Sequence, residues 1–388
     1  MRRAAALLLL VAVLRGVEPQ ATTLAPATTA VGAVERAAGA GAGADERAAG
    51  SAGSAGSAGA RIRARVALTP PLGYNSYDSY DWTMNETQLF ASAAAMQQRR
   101  LLASGYDTIT LDWYWYRDGR QLTRTLPKAG LPTNASCQIF FDAGGRMYPD
   151  PHRFPSTREC RCWTPITARL RALGLSLGLH LMPGAAKFAV DAGYRVPGTA
   201  IRLADVVDYT RQSHGGAICP GCTFYQLNMS KPGAQAWYDA YYAQLAGWGI
   251  KFIKADFLPA ETDADNIRAM GAAITKSEAG MVLSIHGVSS PAEAKAIGSD
   301  VNMYRVTSDV HDSWGAVRSG FAASTEYAAR GLIGAPGLNG RSWPNHDMLP
   351  LGLQKPPNGS PYPRPNGLSL DEQRTLMTLW SISRSPLI

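Results

Sequence analysis

The chain has 388 residues with a hydrophobic fraction of 46%, enough to bury the core of one large domain or two ordinary ones, so it is not disordered throughout. Its formal net charge of +8 comes from scattered Lys and Arg residues and not from a basic stripe with interleaved aromatic residues. This distribution argues against nucleic acid as a partner.

Residues 1–20 follow the pattern of a signal peptide. Arg2 and Arg3 precede an apolar run that is too short to span a bilayer as a permanent helix, and no other stretch predicts a membrane span. A plastid presequence is the alternative. We expect passage through the secretory pathway to the extracellular space, the cell wall or a lysosome or vacuole. Four glycosylation sequons agree with this, at Asn85, Asn134, Asn228 and Asn358.

Residues 21–66 are rich in Ala, Gly and Ser, with Ser-Ala-Gly repeated near the end. Such a segment cannot bury enough apolar surface to offset its ordering entropy, so we predict a disordered linker. The folded domain then comprises residues 67–388.

Within this domain, short apolar runs alternate with amphipathic segments. The apolar runs predict strands at Leu72–Ser76, Asp107–Trp113, Leu175–Met182, Ile250–Phe257, Met281–Ile285 and Asn302–Val306. The amphipathic segments predict helices that include Glu86–Ala103, Trp163–Leu173, Pro232–Ala246, Pro291–Ile297, His311–Arg330 and Leu370–Ser383. This alternation indicates a (β/α)8 TIM barrel, and the absence of a Gly-x-Gly-x-x-Gly motif after the first strand argues against a dinucleotide-binding sheet.

The five cysteines favour structural disulfides with one thiol left over. Cys219 and Cys222 form a C-x-x-C pair, which can bind zinc, but zinc normally requires a second pair. We therefore expect no metal and no cofactor. The remaining cysteines are Cys137, Cys160 and Cys162.

Three aspartates stand at the ends of predicted strands: Asp112 ends DTITLD, Asp256 ends GIKFIKAD, and Asp309 follows NMYRVTS. In a barrel of this type, the carboxyl ends of all strands open on one face, where active sites are assembled. Any one of the three is equally well explained as a helix N-cap. All three together, with Lys254 and Arg305 on the same strands, indicate a catalytic site.

Cleavage of a glycosidic bond requires two facing carboxyl groups, one as nucleophile and one as proton donor. Because strand side chains repeat with period two, Lys254 should point the same way as Asp256 and keep it ionised. A salt bridge without catalytic function is the alternative for Lys254. Aromatic residues near the same strand ends are suited to a sugar face, although each is also a candidate core residue: Tyr77, Trp113, Trp115, Trp314 and Trp343.

Several segments resemble glycoside hydrolase family 27, which contains α-galactosidases and α-N-acetylgalactosaminidases, and look closest to its plant-type branch linked to β-L-arabinopyranosidase activity. The resemblance runs in order from about Leu68 to the last residue. It rests on TPPLGYNSYDSY, LDWYWY, KADF, MYRVTSD, SWPNHDMLPLG and LDEQRTLMTLW.

The resemblance implies a retaining exo-glycosidase that acts by double displacement on terminal α-D-galactosyl or β-L-arabinopyranosyl residues of a carbohydrate. Asp256 falls on the nucleophile and Asp309 on the acid/base. The remaining implied positions bind the sugar or line its pocket: Lys254, Arg305, Asp112, Asp347 and Tyr77, which takes the place of a Trp.

Three departures from the family pattern matter. Trp113 stands where the family commonly has a second aspartate, which fits a sugar without a C6 hydroxymethyl group, such as β-L-arabinopyranose. His180 and His286 stand where typical α-galactosidases have Tyr and Glu, which leaves recognition of O2 and O3 open. The chain also stops at SISRSPLI, so we expect a barrel truncated at the start of the eighth strand, without the family's C-terminal β-sandwich. This ending motivates the alternative of a catalytically inactive carbohydrate-binding barrel or an inactive fragment, and the oligomeric state is not predicted.

Overall fold

The computed structural model describes residues 66–119, 139–213, 223–334, 337–355 and 363–388. The predicted signal peptide and the linker up to residue 65 lie outside the described residues. So do two of the sequons and three of the cysteines: Asn134, Asn358, Cys137, Cys219 and Cys222. A disulfide joins Cys160 to Cys162.

Two sheets contain the ten strands of the described residues. In chain order these are β1 Leu72–Asn75, β2 Tyr106–Leu111, β3 Ser176–Leu181, β4 Ala185–Ala186, β5 Val207–Ser213, β6 Phe224–Leu227, β7 Phe252–Ala255, β8 Val282–Ile285, β9 Met303–Arg305 and β10 Trp343–Asn345. Seven strands pair in parallel in the order β1-β2-β3-β7-β8-β9-β10, and an antiparallel sheet has the order β4-β6-β5. All carboxyl ends of the parallel sheet therefore lie at the same edge.

Helices connect most of the parallel strands. They are α1 Tyr77–Tyr80, α2 Glu86–Gln98, α3 Thr164–Ala172, α4 Lys187–Asp191, α5 Ala234–Gly247, α6 Ala260–Lys276, α7 Pro291–Ile297, α8 Trp314–Ala329 and α9 Leu370–Ile382. Helix α2 begins with a reciprocal capping box between Asn85 and Gln88, and α9 begins with one between Ser369 and Glu372. No helix within the described ranges has the length and apolar character needed to cross a membrane.

Buried aliphatic side chains run across the parallel sheet in register. Leu179 on β3 lies beside Ile253 on β7, which in turn lies beside Leu283 on β8, and all three are fully buried. Gly178 allows the strands to approach, because a Cβ atom there would lie 2.6 Å from Thr110 Oγ1. These contacts hold the strand ends that carry the polar residues in fixed positions.

The last residues of the chain begin to pair beside β1. Leu387 forms a parallel bridge with Leu72, and the Gly73 amide donates to the Leu387 carbonyl at 2.8 Å. Ile388 packs against Phe252 and Met303 from strands β7 and β9. The seven parallel strands therefore form a curled half-barrel of the (β/α)8 type, which confirms the predicted fold class.

All six predicted strands are confirmed, with ends displaced by at most two residues. The predicted helix Glu86–Ala103 is too long. Helix α2 ends at Gln98, where Arg100 adopts φ 58°, and a 3-10 turn follows at Leu101–Ser104. The prediction also did not include β10, the antiparallel sheet or α6.

Candidate active site

Asp112 directly follows β2 and is one of the most constrained carboxylates at the sheet edge. Its Oδ2 atom accepts from Lys254 Nζ and from Asn75 Nδ2, each at 2.8 Å. The Asp112 amide donates to Ser76 Oγ at 3.0 Å. Burial by itself raises the pKa of the Asp112 carboxyl, but the Lys254 charge outweighs burial and the pKa lies below its usual value.

Asp256 directly follows β7 and accepts three hydrogen bonds. His180 Nε2 lies 3.1 Å from its Oδ2 atom, while His286 Nδ1 and the Phe257 amide, the latter at 2.9 Å, contact Oδ1. Burial raises the pKa of the Asp256 carboxyl, but the two histidine contacts and the Lys254 charge outweigh it and hold the pKa well below its usual value. Asp256 is therefore an ionised carboxylate at neutral pH.

The ion-pair partner of Lys254 differs from the sequence expectation. Lys254 makes its ion pair with Asp112, and its charge reaches Asp256 only as a weaker influence than the two histidines. Burial lowers the pKa of Lys254, yet the surrounding carboxylates outweigh burial and raise that pKa above its ordinary value. His180 and His286 both contact Asp256.

Arg305, the last residue of β9, connects two further carboxylates. Its Nη2 atom lies 2.7 Å from Asp309 Oδ1, and its Nη1 atom lies 3.4 Å from Asp347 Oδ1. The Asp309 side chain is 63% exposed, whereas Asp347 is buried and accepts from the Val310 amide at 2.9 Å. Asp309 therefore lies at the solvent side of the cluster, and Asp347 contacts Arg305 on its buried side.

Two aromatic residues border the polar cluster. Tyr77, in α1, lies with its ring centroid 3.3 Å from Lys355 Nζ and 5.9 Å from Lys254 Nζ. Trp113 is buried and stacked on Tyr114, with centroids 4.2 Å apart, and its Nε1 atom has no hydrogen-bond partner among the described residues.

The other aromatic candidates have different positions. Trp115 and Trp343 are almost fully buried, and their indole N–H groups donate to the carbonyls of His180 and Ala67, so both are core residues and not sugar platforms. Trp314 is 40% exposed at the start of α8.

Asp78 and Lys355 belong to this region but were not predicted. Asp78 is buried in α1, and its Oδ2 atom has no hydrogen-bond partner in the described part of the chain. Burial, and then the Asp347 charge, raise the pKa of Asp78 to about 7, against the opposing charges of Lys355 and Lys254. The available signal for Asp78 was the rule applied to the other aspartates, a carboxylate just after a strand. Lys355 lies far along the chain from α1 and had no such signal.

One group of side chains in the described ranges has the spacing of metal ligands. Ligand atoms of Asp118, Asp150 and His152 lie within 4.8 Å of one another. Asp150 already accepts from Arg153 Nε at 3.0 Å, from the Gly119 amide at 2.7 Å and from the His152 amide at 2.8 Å. Protein donors therefore occupy both of its oxygens, and the group anchors a loop.

The sequence profile of the alpha galactosidase A family matches residues 192–388. Alpha-galactosidase 3 of Arabidopsis thaliana is 24% identical over 83% of this chain and 55% of its own length. The alpha-galactosidase of Cyamopsis tetragonoloba is 23% identical over 83% of this chain and 59% of its own length. The chain thus spans little more than half the length of these curated relatives.

A solved structure is similar over a comparable stretch. A family 27 β-L-arabinopyranosidase from Geobacillus stearothermophilus is 29% identical, with a TM-score of 0.72 over 84% of this chain and 72% of that one. The profile match over half the chain, the barrel and this likeness agree with one another. The chain belongs to glycoside hydrolase family 27, the family of alpha galactosidase A.

Proposed function

We propose that this chain is the catalytic barrel of a retaining exo-glycosidase that releases terminal β-L-arabinopyranosyl residues and accepts terminal α-D-galactosyl residues as a second substrate. The observation that supports it best is one run of contacts, Asp256 to His286 to Arg305 to Asp309. It places an ionised carboxylate and a solvent-facing carboxyl group on the same edge of the sheet, as double displacement requires.

In the first step of the proposed mechanism, the Asp256 carboxylate attacks the anomeric carbon. The bond from that carbon to the glycosidic oxygen breaks, and Asp309 gives its proton to the departing oxygen. In the second step, Asp309 takes a proton from water, the resulting hydroxyl adds to the anomeric carbon, and the Asp256 carboxylate is released.

The other polar residues are proposed to bind the sugar. The Asp112 and Lys254 pair presents an acceptor and a donor at one end of the cluster, and Arg305 and Asp347 present a second such pair at the other end. Sugar hydroxyls both donate and accept, so paired charges of this kind bind them well. Tyr77 is proposed to wall the pocket on the side of Lys355.

Trp113 supports the preference for arabinopyranosides. A galactose C6 hydroxyl against the indole ring would lose its water without gaining an acceptor, a penalty of about 1–3 kcal/mol. β-L-Arabinopyranosides lack this group. A variant of the Geobacillus stearothermophilus arabinopyranosidase, 28% identical to this chain, was crystallised in complex with arabinose.

Turnover of nitrophenyl β-L-arabinopyranoside and nitrophenyl α-D-galactoside by the purified protein tests the proposal. We expect both substrates to be hydrolysed with retention of anomeric configuration. NMR of the first-formed product measures that configuration. In a substrate complex the two carboxyl groups should be about 5–5.5 Å apart. Sugar binding without turnover would instead support an inactive carbohydrate-binding barrel.

We also propose that the protein passes through the secretory pathway as a glycoprotein. The signal-peptide pattern of residues 1–20 and the Cys160–Cys162 disulfide support this. Expression with and without the first twenty residues in a eukaryotic host tests it. Export of the protein should require residues 1–20. So should the attachment of N-glycans, seen as a loss of mass on treatment with an N-glycosidase.

A further inference from the structure

One guanidinium nitrogen connects the two proposed catalytic carboxyl groups through a histidine ring. Arg305 Nη2 contacts both Asp309 Oδ1 and His286 Nε2, and the other ring nitrogen of His286, Nδ1, contacts Asp256 Oδ1. Nη2 carries two N–H bonds, which is the number that these two acceptors need.

The chemistry of the guanidinium group determines the protonation of the ring. Arginine only donates hydrogen bonds and does not lose its proton in proteins, so His286 Nε2 must accept and carries no hydrogen. The single ring proton is then on Nδ1, where it is donated to Asp256. A doubly protonated ring would place an N–H group against the guanidinium.

We propose that His286 is a positioning residue, held by Arg305 as the neutral Nδ1–H tautomer so that it donates a fixed hydrogen bond to Asp256. This inference rests on the proposed function, in which Asp256 is the nucleophile. The hydrogen bond from His286 anchors one oxygen of the Asp256 carboxylate, Oδ1. In the described part of the chain, Oδ1 receives both His286 and the Phe257 amide, whereas Oδ2 receives only His180.

The unequal bonding distinguishes the two oxygens of Asp256. Oδ2, with one donor at 3.1 Å, has the freer lone pair and is the oxygen assigned to attack. Among the residues that the structure describes, the charged groups in direct contact with His286 are Asp256 and Arg305. Behind them lie the other titratable and charged groups of the cluster: His180, Lys254, Asp309 and Asp347.

Long-range proton–nitrogen NMR of protein labelled with nitrogen-15 histidine reads the tautomer directly. The His286 signals, identified by their loss in His286→Asn, should show protonated Nδ1 and bare Nε2 in the neutral ring. A neutral ring that carries its proton on Nε2 would overturn the inference. This readout does not depend on turnover.

Matched substitutions test the positioning effect. The amide nitrogen of asparagine overlaps the Nδ1 position, so His286→Asn keeps the donor to Asp256, while His286→Ala removes it. We expect His286→Ala to lower kcat/KM by about ten- to hundredfold and to move its acid limb to higher pH, with His286→Asn recovering most of both.

Equal profiles for the two variants would contradict the positioning role. If the wild-type protein fails to hydrolyse either glycoside while NMR shows the Nδ1–H tautomer, the proposed function has failed and the tautomer assignment stands.

Discussion

Lys254 Nζ donates to Asp112 Oδ2 at 2.8 Å, and this contact joins the carboxyl ends of two strands, β7 and β2, that are separated in the sheet by β3. Asp112 is buried and Lys254 is largely covered, with exposed side-chain fractions of 3% and 13%. A buried ion pair has a large desolvation cost, so removing one partner leaves an unpaired charge in a poor environment.

Lys254→Met should therefore destabilise the fold by about 3–5 kcal/mol, measured by urea unfolding, because the Asp112 carboxylate then keeps only neutral donors among the described residues, Asn75 Nδ2 and the Trp113 amide. Asp112→Asn should cost less, since Asp256 and Asp347 still surround the lysine. The double variant should recover part of the loss. Strictly additive effects in this cycle would show that the pair contributes no coupling energy.

Asp256→Asn should abolish turnover while the fold stays intact, because an amide cannot attack the anomeric carbon. Asp309→Asn should reduce activity less on nitrophenyl glycosides, which need little protonation of the leaving oxygen. Steady-state kinetics of both variants, on nitrophenyl glycosides and on glycosides with a sugar leaving group, measure the difference. Equal losses on the nitrophenyl substrate would argue against the assigned roles.

Trp113→Asp should shift the ratio of kcat/KM values toward the α-galactoside by restoring an acceptor, from an initial preference for the arabinopyranoside of about ten- to hundredfold. Trp113→Phe is the matched control, since it keeps a ring against Tyr114 and adds no acceptor. Kinetics on both substrates give the ratio. An unchanged ratio in Trp113→Asp would show that this residue does not set the specificity.

Asp78 should make the fold less stable as the pH rises. Its pKa is raised from 3.8 to about 7, so between these values the folded protein binds a proton that the unfolded chain has released. The stability contribution is complete below pH 3.8 and is lost by about pH 7, a change on the order of 4 kcal/mol.

Asp78→Asn should remove this pH dependence. The unfolding free energy of the variant minus that of the wild type should therefore be larger at pH 8 than at pH 5. Thermal unfolding at several pH values measures it. Asp371→Asn, at a side chain that is 88% exposed, is the control and should follow the wild type. Parallel curves for Asp78→Asn and the wild type would contradict the raised pKa.

The sequence predicted the parts of the fold that have a strong local pattern. Strand β2 is a run of mainly apolar and β-branched residues followed directly by an aspartate, and the run itself suffices to predict it. Strand β10 has three residues and includes Pro344, which lacks a backbone N–H, so no local pattern marks it. Its pairing with β9 depends on tertiary contacts.

The site was predicted as a set of residues but not as a set of contacts. Period two placed Lys254 and Asp256 on one side of β7, yet the partner of Lys254 is decided by the distance to β2 across the sheet. The bridging role of His286 depends on the position of Arg305, which is on another strand. Sequence spacing carries no information on such distances. Helix α6, in contrast, has acidic residues in its first turn and Lys276 in its last, signals that were available.

The most direct test of the central claim is covalent trapping with a 2-deoxy-2-fluoro β-L-arabinopyranosyl or α-galactosyl donor that carries an activated leaving group, followed by peptide mass spectrometry. The account predicts one glycosyl adduct per protein on the peptide that contains Asp256, and none in Asp256→Asn. An adduct on another carboxylate would contradict it, as would turnover of the unfluorinated substrate with inversion and no adduct.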